Sequence, residues 1–104
     1  MSRYPDAAMQ LERALVAMAD AAGCPIVPAA ATSTPWASAT FAGARHLLEI
    51  EATHSVLLRA WLVAVTEAEF ALRGNLVVDI KVTGFRRARD LATFTLEALT
   101  VEER

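Results

Sequence analysis

The residues best suited to chemistry in this sequence are few: two histidines, one cysteine, several spaced carboxylates and a short run of arginines. His46 and His54 are eight positions apart and fall on different predicted elements. A zinc-type site needs more ligands at tighter spacing, and Cys24 is too remote in sequence to complete one. Both histidines therefore read as structural or surface residues. His54-Ser55 invites a base–nucleophile reading, but sequence neighbours at a helix start point apart, and Ser55 is accounted for as a helix cap. Cys24 lies between Gly23 and Pro25 with no neighbouring cation to lower its pKa, which predicts a buried, inert thiol. As the sole cysteine it allows no intramolecular disulfide and fits a reducing compartment.

The carboxylates are equally sparing. Glu49 and Glu51 share one face of a predicted strand, where solvated side chains are the ordinary reading. Glu67 and Glu69 lie about 200° apart around a helix and form no acid–base pair. Glycines stand singly at positions 23, 43, 74 and 84, so no phosphate-cradling loop is present. These residues predict no catalytic centre, no metal site and no cofactor. The arginines at 86, 87 and 89 form the one local concentration of positive charge. They suit either a solvated hairpin tip or a contact with carboxylates or phosphates of a partner. If that partner is a neighbouring copy of the chain, Glu49, Glu51, Asp79 and Glu97 on its strands could supply the carboxylates.

The elements that must position these residues follow from periodicity. At 104 residues the chain has the size of one domain, and residues 1–104 are read as a single domain. The apolar fraction of 55% exceeds the soluble norm of about 45–50%. Much of that excess is alanine, and arginine outnumbers lysine nine to one. A GC-rich coding sequence gives both biases by itself. A net charge of −2 supplies no global field for nucleic acid or an anionic membrane. The most apolar run, Val56 to Val65, contains Arg59 and is half the roughly twenty residues a membrane span requires. Met1-Ser2-Arg3-Tyr4-Pro5-Asp6 lacks the basic-then-apolar pattern of a secretory signal, so the expectation is a protein cytosolic in its producing cell.

Residues 6–22 predict an amphipathic helix with Asp6 as cap and Gly23 as stop, its inner face formed by Leu11, Leu15, Met18 and Ala22. Residues 24–39, with Pro25, Pro28 and Pro35, predict a long surface loop containing at most a short Ile26-Val27 edge strand. Trp36 is conspicuous there, since an aromatic of that size needs something to pack on. Residues 40–52 turn to period two, a half-buried strand. A helix capped at Thr53 or Ser55 is then expected to run to about Leu72. Its broad apolar face, centred on Trp61, covers the sheet. Its opposite side carries Val56, Val63 and Phe70, a second stripe that either the same chain or another chain covers. Leu76, Val78, Ile80 and Val82 mark a further strand, and Phe94, Leu96 and Ala98 its antiparallel hairpin partner. The expected fold is α+β, a single sheet with helices packed on it, in the order α-β-α-β-β. No internal repeat is visible.

The order of residues resembles the small tail-completion, or tail-terminator, proteins of long-tailed bacteriophages and gene transfer agents. The similarity runs from Gln10-Leu11-Glu12-Arg13-Ala14-Leu15 through Thr34-Pro35-Trp36 and Phe41-Ala42-Gly43-Ala44-Arg45-His46. It is clearest from Phe70-Ala71-Leu72-Arg73-Gly74 and Leu76-Val77-Val78 through Arg86-Arg87-Ala88-Arg89-Asp90 to Leu96-Glu97-Ala98-Leu99-Thr100-Val101-Glu102-Glu103. Departures are a shortened first strand at Pro25-Ile26-Val27 and a hairpin without the Asp-Gly turn often found in that family. The resemblance implies a structural assembly protein that is not an enzyme and uses no cofactor. Such proteins form a homo-oligomeric ring, commonly a hexamer, that caps a completed tail tube and meets the head connector. On that reading the partners are further copies, tail-tube protein and head-connector protein, in the cytoplasm and then in a phage-like particle. Membrane and sequence-specific nucleic acid are not among them. Trp36, Val56, Val63, Phe70, Arg86, Arg87 and Arg89 are the candidate contact residues. A small self-associating ligand-binding or regulatory module is the alternative. A third reading is a small oligomeric enzyme with His46 or His54 as base.

Overall fold

A computed structural model describes residues 6–103; Met1–Pro5 of the opening segment lie outside them. The fold is α+β, with two helices on one face of a four-stranded antiparallel sheet. Helix α1 spans Ala7–Ala21. The Asp6 carboxylate accepts from the Met9 amide at 2.9 Å, and Gly23, at φ 80°, ends the helix. Its amide and that of Cys24 close on the carbonyls of Asp20 and Ala19, satisfying groups the last turn leaves free. Leu11, Leu15 and Ala19 form the buried face. Met18 is partly buried, while Ala22, which caps the helix, is exposed.

The segment expected to be a loop is a strand. β1 (Ile26–Ala37) pairs antiparallel with β2 (Ala42–Thr53) along its length. The prolines misled because β1 is an edge strand. There one row of N–H groups faces solvent, so a proline can sit without removing a ladder bond. A register shift lies between Pro28 and Ala30. Ser38 closes the β1–β2 turn: its hydroxyl oxygen accepts from the Thr40 and Phe41 amides at 3.3 and 3.0 Å.

Helix α2 is shorter than expected, Val56–Ala64, followed by a 3-10 turn at Val65–Glu67. Ser55 caps it, accepting from the Leu58 amide at 3.0 Å. Its end has a local cause. The Thr66 hydroxyl donates to the Val63 carbonyl at 2.9 Å, and Ala68 swings to extended backbone at ψ 147°. β3 (Asn75–Ala88) and β4 (Leu91–Glu102) form the expected C-terminal hairpin. Two register shifts in β3, at Val77/Asp79 and Val82/Gly84, change which residues face inward. Leu76 and Val78 are therefore exposed, while Val77, Ile80 and Val82 face or pack against the core.

The sheet order is β1-β2-β4-β3. β3 therefore runs parallel to β2 but one place beyond it, and β4 fills the gap. The chain is an αββ unit used twice. Ala7 and Val56 start the two helices, and Ala42 and Leu91 the two inner strands, each pair 49 residues apart. The sequence halves show no repeat, so the duplication exists only at the level of elements. Leu48, Ile50, Phe94 and Leu96 from the inner strands meet Leu11, Leu15, Leu58, Trp61 and Val65 from the helices in one core. No described element covers the other face of the sheet, where Arg45, Leu47, Glu49 and Glu51 are exposed.

The β3–β4 hairpin turns in two residues, Arg89 and Asp90, with Arg89 at φ 58°. A left-handed first turn residue suits the hairpin twist but favours glycine. Arg89→Gly should therefore raise stability by about 0.5–1 kcal/mol, the relieved steric cost less the extra freedom of glycine in the unfolded chain. Urea unfolding checks this. A loss of stability would mean that the Arg89 side chain itself holds the turn.

Candidate functional site

The structure divides the arginine run. Successive strand residues point to opposite faces, so Arg86 and Arg87 separate. Arg87 lies on the helix side. With His54, Phe85, Leu62 and Arg59 it lines an open groove of about 410 Å³ between the start of α2 and the end of β3. Its Nε donates to the Arg89 carbonyl at 2.9 Å, which fixes the guanidinium plane. The His54 ring meets Phe85 edge-on at 6.4 Å, and the His54 amide donates to the Asp90 carbonyl at 2.6 Å, tying the hairpin tip to α2. Among the described residues Arg59, Arg86, Arg87 and Arg89 have no carboxylate within ion-pair distance. Arg59 was not singled out from sequence, because its meeting with Arg87 is made by the crossover from α2 to β3.

The apolar stripe of α2 adjoins this groove. Val56 is 83% exposed and Val63 69%, and Ala60 between them is also exposed. Spacings of four and three put all three on one helix face. Phe70 does not join them: it lies beyond the helix and packs against the core. Trp36 also stands apart, paired with Gly43 at the opposite end of the sheet. It is half-buried, with its indole N–H enclosed and unbonded.

Arg86 lies on the open sheet face. It lines a hollow of about 390 Å³ with Glu49, Glu51, Thr93 and Thr95, floored at its edges by the small residues Ala29 and Gly84. Of the acidic strand residues, Glu97 is engaged by Arg45 at 2.9 Å. Glu49 and Glu51 have no such partner among the described residues.

A third cluster was not foreseen as one. His46, 2% exposed, stands on the inner face of β2 between Ser33 of β1 and Thr100 of β4. Ser33 Oγ is 2.7 Å from Nδ1, and Thr100 Oγ1 is 2.9 Å from Nε2. The Thr100 hydroxyl donates to the Ala44 carbonyl at 3.3 Å, so its oxygen accepts from Nε2–H, and Nδ1 is left to accept from Ser33. Burial holds the imidazole below its usual pKa, and the Asp6 carboxylate acts in the opposite direction. The cluster opens onto a groove of about 330 Å³ that includes Asp6, Asn75 and Glu102. Gly43, on its rim, must be glycine: a Cβ there would overlap the Thr100 carbonyl oxygen. Cys24 is buried, as expected, and burial raises its pKa. Among the described residues no three potential ligands converge on a metal position, and no helix is long and apolar enough to cross a membrane. Comparison with protein-family models, curated proteins and solved structures finds no match.

Proposed function

We propose that the chain is a structural assembly protein of the tail-terminator kind. Copies associate into a ring that caps a phage-like tail tube and presents a surface to the head connector. The observation that carries the reading is the solvent-facing stripe of α2, where Val56 and Val63 are left uncovered by the described residues beside Arg59 and Arg87, which have no ion-pair partner among those residues. Apolar area of this kind next to directional charged groups is the composition of an interface centre and its rim. The sequence resemblance supplies the kind of assembly. Neither histidine is needed as a catalyst in it.

Light scattering tests the proposal. The wild-type chain should run at several times its 11.2 kDa mass, and Val56→Glu/Val63→Glu should run at single-chain mass. Because both valines are exposed, stability should change by no more than about 0.5 kcal/mol each. A wild-type mass of one chain overturns the reading. An unchanged oligomer in the folded variant removes this surface from it. The alternative of a self-associating ligand-binding module draws on one observation, the groove that joins His46 to Asp6 and Glu102.

A further inference from the structure

We infer that copies of this chain join front to back, Arg59 and Arg87 on the helix side of one copy meeting Glu49 and Glu51 on the open sheet face of the next. The inference rests on the assembly reading and names the surfaces that carry it.

The two surfaces complement each other in several respects. The helix side presents two guanidinium groups without acidic partners among the described residues, flanked by exposed Val56 and Val63. The sheet side presents two carboxylates without basic partners within ion-pair distance among the described residues, flanked by Leu47 (42% exposed) and Val27 (60% exposed). Arg86 lines the same hollow, yet two carboxylates against one guanidinium leave the recess negative. The hollow is open because its neighbours are small: a Cβ on Gly84 would find no atom closer than 3.8 Å. The arginines that line the groove on one surface thus meet the carboxylates that line the hollow on the other. Bidentate guanidinium–carboxylate bonds would fix the register between them.

The alternatives within the molecule are weaker. Glu97 is already engaged by Arg45. Asp79 lies on β3 beside the 3-10 turn, in a recess of about 130 Å³ with Thr66, Glu67 and Val78, much smaller than the hollow of about 390 Å³ at Glu49 and Glu51. A groove-to-groove dimer would set arginine against arginine, which costs association.

Geometry then decides the kind of assembly. The surfaces lie on opposite sides of one sheet, so the contact is heterologous: each copy uses its front on one neighbour and its back on the other. Repetition gives a closed ring or an open stack, never a two-fold dimer. Extents of 46 × 22 × 21 Å give a face of about 1,000 Å², above the roughly 800 Å² per partner that a standard interface occupies.

Charge reversal tests the pairing. Arg59→Glu/Arg87→Glu makes both surfaces acidic, and Glu49→Arg/Glu51→Arg makes both basic. Each variant alone should associate at least about tenfold more weakly than wild type, and wild-type association should weaken as salt is raised. Mixing the two variants one to one should restore assembly, since every front then finds an opposite back in alternating order. If either variant assembles like wild type, or if the folded mixture stays monomeric while wild type assembles, the pairing is overturned and the assembly reading stands. A monomeric wild type overturns both. Should a reversed variant lose its circular dichroism, Arg59→Gln/Arg87→Gln replaces it, with weakened association as the expected result and wild-type association as the overturning one.

Discussion

Replacing Trp61 with alanine should lower the free energy of unfolding by about 3–5 kcal/mol, the cost of emptying a large aromatic site in a packed core. Trp61 is 2% exposed, and its ring lies 6.2 Å from that of Phe94 at 58°. The pair joins α2 to β4 near the middle of the layer interface. A domain of this size commonly has about 5–15 kcal/mol in all, so the variant should be close to unfolding at ordinary temperature. Trp61→Phe should cost much less, under about 2 kcal/mol. Phenylalanine keeps the Phe94 contact and removes an indole N–H that is buried without a partner, a group that is costly to leave unbonded. Urea unfolding at constant m value separates the outcomes. A loss below about 1 kcal/mol for the alanine variant would mean that α2 does not carry the core.

That prediction follows from a helix face legible in sequence, and the contrast with less legible elements is physical. α1, β2 and β4 each bury one face against a single layer, so periodicity and caps reveal them. β1 lies at the sheet edge, where Ala29 to Pro35 are exposed on both faces. Without a buried side no alternation is imposed, and prolines are tolerated, so its residues resemble a loop. β3 alternates in sequence, but its bulges move the inward positions to Val77, Ile80 and Val82. Gly84 marks the second of them locally, but no such residue marks the first. The overlong α2 has a similar cause: the apolar pattern continues to Leu72 because Phe70 and Leu72 join the core from irregular backbone.

The candidate contacts were legible in part for the same reasons. Val56 and Val63 are exposed where the helical pattern puts them. Phe70 is removed from the stripe by the helix end, and Trp36 by its place at the far end of β1. The arginine run could be seen but not divided, since a strand sends neighbours to opposite faces only once its register is known. Arg59 and Ser33 acquire meaning through long-range pairing alone. Arg59 needs the crossover that brings β3 beside α2, and Ser33 needs β1 to be a strand at all.

His46 depends most on that hidden strand, and its replacement should have the second large effect. His46→Ala removes two hydrogen bonds, worth about 1 kcal/mol each, and opens a cavity between the sheet and α1, for a total near 3 kcal/mol at pH 8. The cost should shrink on acidification. Burial favours the neutral ring and holds its folded pKa below 6.5, so below pH 6.5 the unfolded chain binds a proton that the folded chain resists. Wild-type stability should therefore fall as pH drops from 7 through 6.5 and onward past the folded pKa, below which the His46 contribution levels off. The Asp6 carboxylate facing the ring limits the fall. Asp6 and Glu102 line the same groove, and both are present in wild type and variant alike. Unfolding free energies of wild type and His46→Gln, measured from pH 8 to 5, isolate the histidine as a difference. Wild type should lose more than the variant across that range, because glutamine takes up no proton. Equal slopes would mean that Ser33 turns to accept from a protonated Nδ1 and that Asp6 offsets the buried charge, leaving the Ser33–His46–Thr100 cluster indifferent to pH.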